Sequence, residues 1–265
     1  MSYLEAIFLG IVQGFSEFLP ISSSGHLVLF QRILNVEEGA LSFDIALHFA
    51  TLVAVIAIYW KKIIEMIRRP FSKLPMYIVL GTIPIGILGL LFNDLIESFF
   101  ESGATLGVGF IFTGIVLMYA DKVGEKSRDF SDLTVKDPLV IGTAQAVAML
   151  PAVSRSGMTI SSALSLGIER KTAADFSFLL SIPAILAAVV LDLYKMIQSG
   201  DNTLTAIGIG PVAIGMLFAA VSGFIAVKAM LRLISNKKLY YFSYYLWGIG
   251  GLVLLDQLVL HRFFV

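Results

Sequence analysis

Long apolar runs, each closed by a short charged stretch, set the pattern of this 265-residue chain. Runs at about 41–60, 75–94, 104–120, 172–193, 211–232 and 240–260 approach the ~20 residues that a helix needs to cross a hydrocarbon core. Two regions break the rule. Residues 3–19 and 22–34, and again 138–150 and 154–167, are too short and too polar to cross, and a proline near each break (Pro20, Pro151) divides them. The residue before a proline is pushed out of the α region. Each pair therefore reads as a helix–loop–helix that enters the membrane and returns to the same side. Such backbone is tolerated only where protein or a water-filled cavity surrounds it. The pattern predicts an all-α polytopic membrane protein with six transmembrane helices and two re-entrant pairs.

The two broken regions resemble each other. With Gly10 set on Gly142, Gln13 falls on Gln145, Ser22 on Ser154, Ser24 on Ser156 and Gly25 on Gly157. The prolines match with a one-residue slip. Met149 stands where the first copy has Glu17, and Arg155 where it has Ser23. A break at the same place in each half is what a pair of discontinuous membrane helices predicts. The expected organisation is one integral membrane domain over 1–265, with repeat one at about 1–120, repeat two at about 138–265 and a cytoplasmic linker at about 121–137. Three spans per half is an odd number, so the second repeat runs inverted to the first. The two re-entrant pairs then enter from opposite sides and meet near the midplane.

Composition and charge agree with that class. The chain is 57% apolar and 14% charged, with a mean hydropathy of +0.88. A net charge of zero, with no basic stripe, argues against a nucleic-acid partner; the partner is the lipid bilayer. Zero cysteines exclude disulfides and thiolate chemistry. Met-Ser-Tyr-Leu-Glu lacks a positive leading region, which argues against a cleaved leader. If the N-terminus lies on one side, 61–74, 121–137, 168–171 and 232–239 fall on the other and hold most of the Lys and Arg. The N-terminal side keeps Arg32, Lys195 and Arg262. The positive-inside rule makes the basic side cytoplasmic. Tyr240, Tyr241, Tyr244, Tyr245 and Trp247 read as an interfacial belt.

Ionisable groups in an apolar chain are costly, so a cluster of them is a site hypothesis by default. Gln13 and Glu17, four apart, share a helix face. Ser22, Ser23 and Ser24 are N-cap candidates for a second helix beginning near Gly25, with His26 on its first turn. The second copy supplies Ser154, Arg155, Ser156, Gly157 and Thr159. A helix N-terminus offers free N–H groups and a positive dipole end, which suit phosphate. One copy carries acid and imidazole, the other a phosphate-binding cation. Elsewhere, Asp44 and His48 share a face and read as a structural hydrogen-bonded pair, and Asp175 reads as a helix-start or packing residue. Gly81, Gly86 and Gly89 with Pro84 suggest close helix contacts and a kink.

These stretches carry a family resemblance. Gln13-x-x-x-Glu17 with Ser22-Ser-Ser-Gly-His26 is similar to the Glu/Gln-x-x-x-Glu and Ser-Ser-x-Gly-His signatures of the bacterial undecaprenyl-diphosphatase, or bacitracin-resistance, family. Pro151-Ala-Val-Ser154-Arg-Ser-Gly-Met-Thr159 resembles its second signature, with Ala152 where glycine is usual and, in the first signature, Gln13 where many members have glutamate. The resemblance implies hydrolysis of undecaprenyl diphosphate to the monophosphate and inorganic phosphate, in the bacterial inner membrane, with a site opening towards the periplasmic face. It implies a divalent cation (Mg2+, Mn2+ or Ca2+), for which Gln13 and Glu17 are the candidate ligands. Glu17, Ser23, His26 and Arg155 form the expected catalytic set, with Ser22, Ser24, Gly25, Ser154, Ser156, Gly157 and Thr159 as substrate-binding groups. The nucleophile stays open between Ser23, His26 and water. A second class also fits an inverted repeat: a transporter or flippase of a phosphorylated isoprenoid lipid. The sequence leaves oligomeric state open, a homodimer included.

Overall fold

The computed structural model describes residues 1–36, 40–123, 127–199, 207–236 and 238–264. Among these, ordered structure is helical apart from one isolated bridge, Arg128 to Ile168. The helices are α1 (Tyr3–Phe18), α2 (Ser23–Leu34), α3 (Ala40–Arg68), α4 (Lys73–Ser102) and α5 (Leu106–Lys122). A short 3₁₀ turn, Phe130–Asp132, precedes α6 (Lys136–Val147), α7 (Arg155–Ser165), α8 (Arg170–Ser199), α9 (Ile209–Ser235) and α10 (Tyr240–Leu255). Five of these segments are long and apolar enough to cross a membrane: Ala40–Arg68, Lys73–Phe92, Arg170–Gln198, Ile209–Ser235 and Tyr240–Leu260. Large apolar side chains such as Leu90, Leu91, Val190 and Leu252 point outward on them, as lipid-facing residues do.

Local chemistry sets the boundaries. Ser2 and Glu5 form a capping box at the start of α1, which satisfies N–H groups that a helix leaves open. Phe18 is its last residue, two before Pro20. Ser22 caps α2, its Oγ accepting from Gly25 N–H at 3.4 Å. Ser154 caps α7 in the same way, accepting from Gly157 N–H at 3.1 Å. The broken helix pairs thus fall where the sequence puts them. In α4 the departure from helical geometry lies at Phe92 (φ −123°, ψ 17°), not at Pro84. A proline in a membrane helix is tolerated where its neighbours re-satisfy the freed carbonyl. Parts of the 121–137 linker and of the 232–239 loop lie outside the described residues, as does Val265.

Packing brings the broken helices into the centre. α1 lies chiefly against α9, and α6 against α4. Gly10 and Gly142 explain how the backbones come so near. A Cβ on Gly10 would run into the carbonyl of Gly215, and one on Gly142 into the carbonyl of Gly81. Close approach through small residues is how membrane helices gain van der Waals contact without a hydrophobic driving force. α3 and α8 pack together at the core, where the Tyr59 ring lies 6.4 Å from that of Phe178, and Phe18 of α1 meets the same ring edge to face (5.8 Å, 81°). Tyr59 and Lys62 of α3 donate to the two carboxylate oxygens of Asp175 on α8, at 2.6 and 2.7 Å. Asp175 is therefore a cross-helix packing residue.

Candidate active site

The turn after α1 and the turn before α7 touch. Ser156 Oγ donates to the Leu19 carbonyl at 3.1 Å, and Gly25 leaves the room that Ala152 fills, since a Cβ there would lie 2.9 Å from Ala152 Cα. This contact carries the last turn of α1 onto the first turn of α7. Glu17 consequently lies at the meeting point, 7% exposed.

Four groups converge on its carboxylate. Gln13 Nε2 donates to Oε2 at 3.1 Å, and Ser23 Oγ donates to the same oxygen at 2.6 Å. Arg155 Nη2 donates to Oε1. His48 Nε2 stands 3.7 Å from Oε2. A buried carboxylate needs such company, because an unpaired charge in apolar surroundings is strongly unfavourable. The company is nonetheless incomplete. Arg155 Nη1 and Gln13 Oε1 are buried and have no hydrogen-bond partner among the described residues. Ser23, Ser24, Arg155 and His48 are half-buried, so the cluster has an open side. An arginine with an unused prong, beside two helix N-termini, is a ready receptor for a tetrahedral anion.

The structure brings Gln13, Glu17, Ser23 and Arg155 together. Ser22 and Ser24 face each other at 3.3 Å across the first turn of α2, and Ser154 and Ser156 do the same on α7. His26 is turned elsewhere. Its Nδ1 bonds the Ser22 carbonyl at 2.7 Å and its Nε2 the Tyr245 hydroxyl at 2.6 Å. The carbonyl can only accept, so Nδ1 carries the hydrogen, and in the neutral ring Tyr245 donates to Nε2. Both ring nitrogens are thereby engaged in fixing the Ser22 turn against α10. Thr159 is likewise directed away, its hydroxyl bonded to the Arg155 carbonyl at 2.9 Å and to Ser177 Oγ at 2.6 Å.

His48 is the group that sequence reasoning set aside. Its Nδ1 bonds the backbone carbonyl of Asp44 at 2.8 Å, and the Asp44 carboxylate instead accepts from Gln31 Nε2 at 2.7 Å. The spacing of four residues is real, but the bond it makes is ring to backbone, which frees Nε2 to face Glu17. The available signal was an ionisable residue inside a span. A cavity of ≈ 930 Å³ reaches Asp44, one turn before His48, and is lined also by Gln31, Arg32, Leu41, Phe100 and Arg262.

Comparison with known proteins places this arrangement in a family. The chain is 46% identical over 257 residues to a protein of Carboxydothermus hydrogenoformans named undecaprenyl-diphosphatase, covering 97% of this chain and 98% of that one. It is 44% identical to undecaprenyl-diphosphatase 3 of Bacillus cereus over the same shares, and 38% identical to an undecaprenyl-diphosphatase of Halothermothrix orenii over 96% and 98%. Residues 6–252, which hold every member of the cluster around Glu17, match the family described as bacitracin resistance protein BacA, and with that coverage the chain is a multi-pass membrane protein that belongs to this family.

Proposed function

We propose that this protein is a phosphatase that hydrolyses undecaprenyl diphosphate to undecaprenyl phosphate and inorganic phosphate at the Glu17 cluster. The observation that carries the site is Arg155, which holds Glu17 through one nitrogen and keeps the other buried and unpartnered. Phosphoryl transfer from a diphosphate is mainly a matter of positioning and charge neutralisation. Arg155 Nη1 and the first N–H groups of α2 and α7 would receive oxygens of the terminal phosphoryl group. Glu17 would accept the proton of the attacking hydroxyl, whether that of Ser23 or of a water in its place. The new P–O bond forms as the bond to the bridging oxygen breaks, and the lipid monophosphate leaves. In the Ser23 route water then releases phosphate from the serine. With both His26 nitrogens already bonded, the geometry favours an orienting role for that ring over a nucleophilic one.

A divalent cation fits the donor set in a limited way. Gln13 Oε1, buried and unpartnered, and Glu17 offer one neutral and one anionic oxygen. Among the described residues no group of three His, Cys, Asp or Glu could hold a metal unaided. A hard cation that keeps waters and takes its remaining oxygens from the substrate suits such a site. When bound it would supply charge neutralisation for the diphosphate.

The finer architecture belongs to the same reading: two inverted repeats with six spans, the 17-residue α5 as the sixth. It is supported by an exchange of partners, α1 on α9 and α6 on α4, with Gly10–Gly215 mirrored by Gly142–Gly81. The membrane would be the bacterial inner membrane, with the cavity beside Asp44 opening to the periplasmic side. The test is phosphate release from purified protein in detergent, supplied with undecaprenyl diphosphate, with and without a chelator. Release by wild type and its loss in Glu17→Ala, with normal insertion and purification, is the expected result. Gln13→Ala should do less harm, since an amide binds cations less well than a carboxylate. Absence of release from the wild type, where two compartments are lacking, would favour a carrier instead.

A further inference from the structure

α3 continues beyond its apolar run, and its last two turns are amphipathic. Trp60, Ile64 and Ile67 fall at i, i+4 and i+7 and share a face, with Phe71 following in the turn. Nothing in the fold covers them fully: Trp60 is 57%, Ile67 73% and Phe71 89% exposed. Beside this stripe Lys61, Arg68 and Arg69, with Glu65 among them, line a shallow cleft of ≈ 320 Å³. Neighbouring cations are already used, Lys62 by Asp175 and Lys73 by the Ser131 carbonyl. The side chains of Lys61, Arg68 and Arg69 make no ion pair or hydrogen bond with any described residue.

Length fixes where this segment sits. At about 1.5 Å per residue, Ser42 to Lys61 spans about 30 Å, the thickness of the hydrocarbon core. Trp60 then stands at the edge of the core, and Lys61 to Phe71 at the level of the headgroups. We propose that the end of α3 is a binding site for anionic phospholipid headgroups, the stripe of Trp60, Ile67 and Phe71 entering the acyl boundary while Lys61, Arg68 and Arg69 take the phosphates. A free inorganic anion would explain the cations and leave the apolar stripe without a use. A helix with an apolar face edged by Lys and Arg is what an anionic membrane surface retains.

Trp60 itself is the probe. The chain has two tryptophans, so Trp247→Phe leaves Trp60 as the reporter. The protein is reconstituted in phosphatidylcholine vesicles carrying a minor fraction of tail-brominated phosphatidylglycerol, or the same fraction of brominated phosphatidylcholine. Quenching by the anionic lipid should exceed that by the neutral one by at least about twofold, since each basic residue adds to its local enrichment. The preference should shrink as salt is raised. It should vanish in the triple variant Lys61→Gln, Arg68→Gln, Arg69→Gln, which removes no hydrogen bond or ion pair among the described residues and should melt like its parent. Equal quenching by the two lipids in the parent overturns the proposal, and so does a preference that survives the triple substitution.

Discussion

Ala152 occupies a left-handed backbone position, φ +61°, in the turn before α7. A Cβ in that region crowds the following carbonyl and costs about 1–2 kcal/mol. The signature that this stretch resembles has glycine here, a residue that takes this conformation without strain. Ala152→Gly should raise the melting temperature in detergent, or at worst leave it unchanged because glycine also loosens the unfolded chain; a clear drop would show that the alanine methyl's packing outweighs the strain. Arg155 poses a sharper question at the same scale. Its contact with Glu17 is the arrangement a purely structural counter-charge would adopt, while its buried, unused Nη1 is the arrangement a phosphate receptor would adopt. Lysine at 155 keeps the charge and loses the planar fork. Charged hydrogen bonds are worth roughly 1.5–3 kcal/mol, so Arg155→Lys should purify normally and lose at least about tenfold in kcat/KM, with Arg155→Ala worse. Full kcat/KM in the lysine variant would leave the arginine as a counter-charge only.

At the scale of elements, the helix pairs were legible because prolines and serines write their own punctuation. Ser22 and Ser154 cap α2 and α7 as their spacing to Gly25 and Gly157 suggests. What the sequence could not convey was direction in space. His48 and Asp44 share a face in either reading, and only the packing of α3 beside α1 turns the ring to Glu17. Thr159 belongs to the right motif, yet Ser177 of α8 takes its hydroxyl. The linker shows a further device that composition conceals. Arg128 bonds both oxygens of Asp137, at 3.1 and 2.8 Å, and the Leu166 carbonyl at 2.8 Å, tying the loop to α6 and the end of α7. Burial raises the Asp137 carboxyl, but the Arg128 and Thr134 hydrogen bonds outweigh it and hold it below the usual carboxylate range. A depressed folded value means that the stabilisation is present above the unfolded value, near 3.9, and is lost as pH falls through the folded one. Arg128→Ala should therefore melt several degrees below wild type at neutral pH, and the gap should narrow in strong acid. A gap independent of pH would assign the loss to the carbonyl contacts alone.

The whole molecule turns on which way it faces. The cavity that reaches Asp44 is lined by the end of α2 and by Arg262 and Phe263 of the C-terminal segment, so it faces the periplasm only if those segments lie outside. Charge supports that orientation: the end of α3, the turn after it and the start of α4 carry Lys61, Lys62, Arg68, Arg69 and Lys73, whereas Arg32 and Arg262 stand at the cavity. The fold also tells where a reporter can be placed. Ser72 lies in the exposed turn between α3 and α4, and His261 is exposed at the other end of the chain. Phe264 is unsuitable, being 3% exposed, with Arg32 over its ring at 4.7 Å. Asp256, which accepts from the N–H groups of Arg262, Phe263 and Phe264, fixes this terminal segment. Because the chain has no cysteine, single introductions at these two positions give clean labels. His261→Cys should react with an impermeant thiol reagent added to intact cells of a strain whose outer barrier is opened, and Ser72→Cys should react only after the membrane is permeabilised. The reverse pattern would put the cavity beside Asp44 on the cytoplasmic side and overturn the orientation.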